Sequence, residues 1–270
     1  DQTNSPIAST TGEVAGALTS GNTQEETDAV WDMLSEGTLK LLFGRAFRAP
    51  SIYELTYNDG GHTQIASPEL KPESLLAGEI SYTHKLPKNF WLTGGVFYYY
   101  SNNAIYQGLS GATGSEGLLQ YLNSPVPVEV VGIELEVRKV FRHGWMLMAQ
   151  YSYQRTRLNH LGTDEVVSNT PEHLAGIKCV MPIYRRYVRL ASRITIVGPR
   201  FARDFTSKTT TAVIWDLMLS GENPAMKLKY SVGIRNLMNW SYSHPLGDEA
   251  LDISMPQPGL SAVADLQFTF

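Results

Sequence analysis

Glu134 and Glu136, two residues apart, are this sequence's nearest approach to an acid–base pair. On a strand both fall on one face about 7 Å apart, a separation that overlaps glycosidase carboxylate spacing. Arg138 continues the same parity, so the simpler reading is a run of alternating charges on a wetted face. The six histidines, His62, His84, His143, His160, His173 and His244, form no HxxxH or comparable ligand pair, so no metal site is expected. Cys179 is the only cysteine, which excludes an internal disulfide framework and a cysteine metal cluster. It shares its parity with Ile177 and Met181, as a buried or lipid-facing thiol does. Ser152 and His173 fall on neighbouring expected strands with opposite facing, which disfavours a nucleophile–base pair. The run GLSGATGSEG (Gly108 to Gly117) lacks the strand-to-helix junction of a phosphate cradle and reads as a flexible loop tip. No catalytic residue, metal or cofactor is expected, and the chain is expected not to be an enzyme.

The residues left to do chemistry are aromatic, basic and on loops. Tyr57, His62, Tyr106, Tyr121, Arg203 and Tyr242 stand out as ligand-contact candidates, with Tyr53, Arg200 and His244 near them in sequence. Tyr and Arg are the side chains that most often anchor a bound partner.

What must hold these loops is a series of strands. From Leu260 to Phe270 the apolar residues Leu260, Ala262, Ala264, Leu266, Phe268 and Phe270 occupy one parity. Ser261, Val263, Asp265, Gln267 and Thr269 occupy the other. The same alternation sets Val131, Ile133, Leu135 and Val137 against Gly132, Glu134, Glu136 and Arg138. About ten candidate strands follow, each near the 9–11 residues that a tilted membrane strand needs. A soluble β-sandwich also alternates, but its strands cluster near 5–6 residues. Short connectors (Leu86 to Lys88, Arg142 to Gly144, Pro182 to Arg186, Gly221 to Ala225) alternate with long polar ones. The long ones are Arg48 to Pro72, Asn102 to Pro127, Leu158 to Pro171, Pro199 to Lys208 and Asn239 to Gly259. This is the pattern of an outer-membrane barrel, with short periplasmic turns and long extracellular loops. The polar parity, with Glu79, Arg189, Arg193, Lys229, Arg235 and Asp265, is expected to face the lumen. Aromatics near strand ends, such as Trp91, Tyr98, Tyr100, Trp145 and Tyr153, suit interfacial girdles.

Composition agrees. The chain has 270 residues, 18% charged, with a formal net charge of −4 and one Cys. No basic face for nucleic acid is expected, and no apolar run approaches the roughly 18 residues of a spanning helix. Asp1 to Thr10 is polar and does not read as a signal peptide. Residues 1–37 are expected to be a separate flexible segment, with Asp28 to Leu34 open to either strand or helix, and residues 38–270 to be the barrel.

Six segments in order carry a resemblance. They are GRAFRAPSIYE (Gly44 to Glu54), PELKPES (Pro68 to Ser74), GIELEVRK (Gly132 to Lys139), NTPEHLAG (Asn169 to Gly176), VGIRNLMNWSYSHP (Val232 to Pro245) and the terminal LQFTF. Together they resemble the C-terminal half of a TonB-dependent outer-membrane receptor. The resemblance implies an all-β fold, an antiparallel transmembrane barrel of which about ten strands of a 22-stranded family barrel are present. It also implies a place in the outer membrane of a Gram-negative bacterium, amid outer-membrane lipid and lipopolysaccharide. Phe270, Phe268 and Leu266 are similar to the signal read by the barrel-assembly machinery. The family takes up an iron–siderophore or cobalamin type ligand, driven by the TonB complex through an N-terminal plug. No plug is recognisable here, so a partial receptor is expected, unable to transport alone. A passive ten-stranded pore or adhesin and an outer-membrane hydrolase are the alternatives.

Overall fold

The computed structural model describes residues 24–33, 36–111, 114–160, 163–185, 187–247 and 250–269. In chain order its strands are β1 (Gln24–Met33), β2 (Gly37–Arg48), β3 (Glu73–Leu86), β4 (Phe90–Asn102), β5 (Ile105–Leu109), β6 (Leu119–Asn123), β7 (Val128–Val140) and β8 (Met146–His160). They continue with β9 (Thr163–Val166), β10 (His173–Tyr184), β11 (Val188–Val197), β12 (Ala212–Asn223), β13 (Leu228–Arg235), β14 (Ser243–Pro245), β15 (Ser254–Pro256) and β16 (Ser261–Phe268). One short helix, α1 (Ile52–Thr56), lies in the first long loop.

The main sheet is a meander in the order β1-β2-β3-β4-β7-β8-β10-β11-β12-β13-β16, with β9 extending β8. Every neighbouring pair is antiparallel. The hairpins β5–β6 and β14–β15 stand apart from it, inside long loops. All ten strands expected from alternation are present. An eleventh, β1, pairs along its whole length with β2, so the expectation of a flexible segment over 1–37 does not extend to Gln24–Met33. Within it, residues 1–23 and 34–35 lie outside the described residues, as does the centre of the glycine-rich loop at 112–113. The signal for β1 was short: Ala29, Trp31 and Met33 alternate with Asp28 and Asp32, but Val30 breaks the polar parity.

The register fixes the two faces. On one, Leu41 pairs with Ile80, Ile80 with Val96, Val96 with Ile133 and Ile133 with Tyr153. On the other, Trp91 pairs with Arg138, Arg138 with Met148, Lys178 with Arg193 and Arg193 with Asp216. Arg193 Nη2 donates to Asp216 Oδ2 at 2.7 Å, and Tyr99 donates to Glu79 at 2.5 Å. Between Glu129 and Lys139 at the two rims, charges that hydrocarbon would not tolerate are thus gathered on one side, where Arg193 pairs with Asp216 and Glu79 with Tyr99 across strands. Cys179 lies on the apolar side, opposite Leu147 and Ser192.

No second layer covers the apolar face. Among the described residues the only buried apolar side chains are Ala202 and Ala212, while Leu135 is 52% exposed. A sandwich buries that face against a partner sheet; here it is left for another solvent. On β7 the apolar parity from Val131 to Val137 is bounded by Glu129 at one end and Lys139 at the other. Those ten steps rise about 33 Å along the strand, or about 25 Å once tilted, the height of a barrel's lipid band.

The sheet is an open wall, with no ladder between β1 and β16 among the described residues. Eleven strands in an antiparallel meander leave β1 and β16 running in the same direction. A ladder between them would be parallel, so antiparallel closure requires an odd number of further strands.

Candidate functional site

Every long connector leaves the same edge of the wall, and two loop assemblies form there. The first grows from the end of β2. Arg48 Nη1 contacts both oxygens of Glu54 at 2.9 Å, and its Nε donates to Glu73 Oε2 at 2.8 Å. Ser51 caps α1: the Glu54 amide donates to Ser51 Oγ, and Glu54 Oε2 accepts from the Ser51 amide. This reciprocal capping box is written in the sequence as Ser51-x-x-Glu54. Partial burial opposes the charge on Glu54, but the Ser51 amide and Arg48 outweigh it and hold the carboxyl below its ordinary value. Glu73 accepts in addition from the Ile105 amide at 2.5 Å, tying the β5–β6 hairpin to the wall.

The hairpin then docks on the first loop. The Ile65 amide donates to the Leu119 carbonyl at 3.0 Å and the Leu119 amide to that of Thr63 at 2.8 Å. Gln107 Nε2 donates to Gln64 Oε1, and the Tyr121 amide to Ser67 Oγ. Gln64 and Ser67 are buried at 4% and 3% exposure. The junction brings three rings together. Tyr53 stacks on Tyr57 at 4.5 Å and meets Tyr121 edge-on at 6.2 Å. Tyr106 projects from β5, 47% exposed. His62 follows a tight turn in which Asp59 accepts from the amides of His62, Thr63 and Gln64 and from the Thr63 hydroxyl. Those donors, the Thr63 hydroxyl first, hold Asp59 well below the usual carboxylate range.

The second assembly joins residues 199–208 to residues 239–259. Arg203 donates to the carbonyls of Gly247, Ala250 and Leu251, which clamps the two loops. Tyr242 lies 5.6 Å from the His244 ring. Burial, and then Arg200, lower the His244 pKa. Arg200 itself reaches Asn169 Oδ1 at 3.1 Å. Tyr57 and Tyr121 are therefore neighbours through Tyr53, whereas Arg203 and Tyr242 sit on other loops. At the opposite edge, Phe268 and Leu266 pair with Leu228 and Tyr230 on the apolar face, while Phe270 lies outside the described residues.

Asp204 makes a second tight turn, accepting from the Ser207 hydroxyl and the amides of Ser207 and Thr206. The Ser207 hydroxyl, then its amide, pull the carboxyl down to about 2. A depressed acid stabilises above its ordinary value, near 4, and loses that contribution as pH falls through the folded value. Pepsin cleavage within 199–208 is therefore expected to rise as pH drops from about 4 to 2. Asp204→Asn should remove the part of that rise that exceeds pepsin's own pH profile on an unfolded substrate; an unchanged excess would refute the role given to Asp204.

Asn236, in the segment resembling the family's RNL motif, reads from the sequence as a polar cap at the outer end of its strand, and the structure places it there, just after β13. It is 2% exposed with φ +51, the left-handed region that Asn tolerates. Its Oδ1 accepts from the Trp240 amide, its Nδ2 donates to the Trp240 and Pro258 carbonyls, and its amide donates to Asp216. It is a staple at the mouth of the last long loop, between β13 and β16. Asn236→Ala is expected to cost about 2 kcal/mol, because the Trp240 amide loses its acceptor. Limited proteolysis between 237 and 259 should accelerate; wild-type resistance would sink the assignment.

Residues 9–237 match the family model described as TonB dependent receptor-like, beta-barrel. The chain belongs to the TonB-dependent receptor β-barrel family. Solved structures with the same fold include the copper transporter OprC, at 20% identity and a TM-score of 0.71, covering 91% of this chain and 39% of that one. A mutant of the ferric enterobactin receptor PfeA from Pseudomonas aeruginosa, in complex with enterobactin, gives 18% identity and 0.70 over 90% and 40%. The siderophore receptor PirA from Acinetobacter baumannii gives 14% and 0.68 over 92% and 41%. The chain spans about two fifths of the length of these receptors. No curated protein matched. The TonB-dependent receptors are Gram-negative outer-membrane proteins, and the family and its structural neighbours are transporters and receptors.

Proposed function

We propose that this chain is a wall segment of an outer-membrane uptake receptor for a large, scarce nutrient of the iron–siderophore or cobalamin type. The observation that carries this reading is the two-faced single sheet with all its long loops on one edge. Capture falls to the outer loops, with Tyr57, Tyr121, Tyr106 and His62 on the first assembly and Arg203 and Tyr242 on the second. Leu266, Phe268 and Phe270 take no part in capture and serve insertion by the barrel-assembly machinery. Energy would come from the TonB complex through a plug, which these 270 residues do not resemble. The solvent around the apolar face would be outer-membrane lipid and lipopolysaccharide.

Two measurements test this. In cells without other receptors, a polypeptide of these 270 residues is expected to give no growth on ferric enterobactin or cyanocobalamin as the sole iron or cobalamin source. Robust growth would overturn the claim that this segment is incompetent alone, and ohmic conductance in planar bilayers would favour a self-closing pore instead. Within a complete receptor carrying this wall, replacing Tyr53, Tyr57 and Tyr121 with Ala should weaken binding of the cognate ligand about tenfold or more, as loss of an aromatic anchor does. Unchanged binding would remove the first assembly from the site.

A further inference from the structure

The short turns share a pattern that capture and transport do not use. Four consecutive turns at the periplasmic edge each set a cation beside large apolar side chains. Lys88 precedes Phe90 between β3 and β4, and Arg142 lies between Phe141 and Trp145 after β7. Arg185 follows Ile183 and Tyr184 at the end of β10, and Lys227 follows Met226 before β13. Several of the apolar partners are open to solvent: Tyr184 is 59% exposed, Met226 62% and Phe141 46%. The turn between β1 and β2 departs from the pattern, with Glu36.

A fifth cation shows which side of the wall is involved. Lys139 pairs with Phe90 and Leu147 on the apolar face. Its Nζ donates to the Lys88 carbonyl at 2.7 Å and lies 5.6 Å from the Phe90 ring and 5.9 Å from that of Phe141. A lysine there keeps its stem against apolar surface and its charge at the water boundary.

We propose that these turns form a collar that binds the phosphate of anionic phospholipid headgroups in the periplasmic leaflet. The inference rests on the membrane-spanning reading of the sheet. The cations meet the phosphate while the adjoining rings and Met226 enter the acyl boundary, as interfacial anchors do. An acidic soluble protein would engage the cations, but it gives no reason for an exposed apolar side chain at three of these four turns, or for Lys139 and Phe90 side by side on the lipid side.

The test uses the 270-residue chain purified in a neutral detergent. Phosphatidylglycerol and phosphatidylcholine of identical acyl chains compete for it, and bound lipid is counted by native mass spectrometry. Wild type is expected to prefer phosphatidylglycerol. Lys88→Asn, Arg142→Gln, Arg185→Asn and Lys227→Asn together should reduce that preference at least about tenfold, since each cation near an anionic surface contributes several-fold. Asn suits the three positions with positive φ, namely Lys88, Arg185 and Lys227. Arg142→Gln alone should give a smaller loss in the same direction. Equal retention of both lipids by wild type, or an unchanged preference in the variants, overturns the collar while leaving the membrane reading intact. Competition by glycerol 3-phosphate at the same concentration overturns it in favour of a soluble anion site. Binding of neither lipid overturns both readings.

Discussion

Leu135→Arg is expected to destabilise the inserted wall by about 2–4 kcal/mol, the cost of an arginine on the lipid face near the bilayer midplane. Leu135 lies at the centre of the band on β7, facing outward beside Tyr151. The neighbouring Glu136 faces the other way, beside Thr93 and Gln150. Glu136→Arg should therefore cost less than about 1 kcal/mol, because a lumen charge stays hydrated. Urea unfolding in phosphatidylcholine vesicles, followed by tryptophan fluorescence, gives both values. Comparable costs at the two positions would mean that the faces have been assigned wrongly, and the membrane reading would fall with them.

The second large effect is steric. Gly132 on β7 lies opposite Phe97 on β4, and the Phe97 ring covers it. A Cβ there would stand 2.6 Å from the Tyr153 carbonyl oxygen and 2.7 Å from Phe97 Cε1. Gly221 is tighter still: a Cβ would meet the Tyr187 carbonyl and come within 2.8 Å of the Tyr230 hydroxyl, which itself donates to that carbonyl. Since backbone cannot step aside as a side-chain end can, Gly221→Val and Gly132→Val should each cost about 3 kcal/mol or more, the upper end of overpacking. Gly78→Val is the control, because nothing lies within 4 Å of its would-be Cβ. The expected readout is loss of the folded, heat-modifiable band on gels for the first two and its retention for the third. Folded Gly221→Val protein at wild-type yield would show that the close packing of Tyr187, Gly221 and Tyr230 is not needed.

Alternation is legible wherever one face meets lipid and the other meets water, because a one-residue slip would invert every side chain. That constraint makes the ten long strands from β2 to β16 readable, and it places Cys179, Glu134, Arg193 and Asp265 on their correct faces from local pattern alone. It is weaker for β1, where Val30 interrupts the period. The loops carry no such period. That Tyr53 joins Tyr57 to Tyr121 depends on a hairpin docking across more than fifty residues of chain, through Gln64, Ser67 and Leu119. That Arg203 spends its donors on three carbonyls depends on a loop more than forty residues away.

The amino-acid order by itself determined the ten wall strands from β2 to β16, their two faces and which connectors are long, since each follows from local period and composition. Only the tertiary structure decided which loop side chains meet, that Asn236 is a buried staple, and that β1 and β16 run the same way and leave the wall open. Those outcomes depend on contacts between distant segments and on the parity of the strand count, neither of which is expressed in any short stretch of sequence.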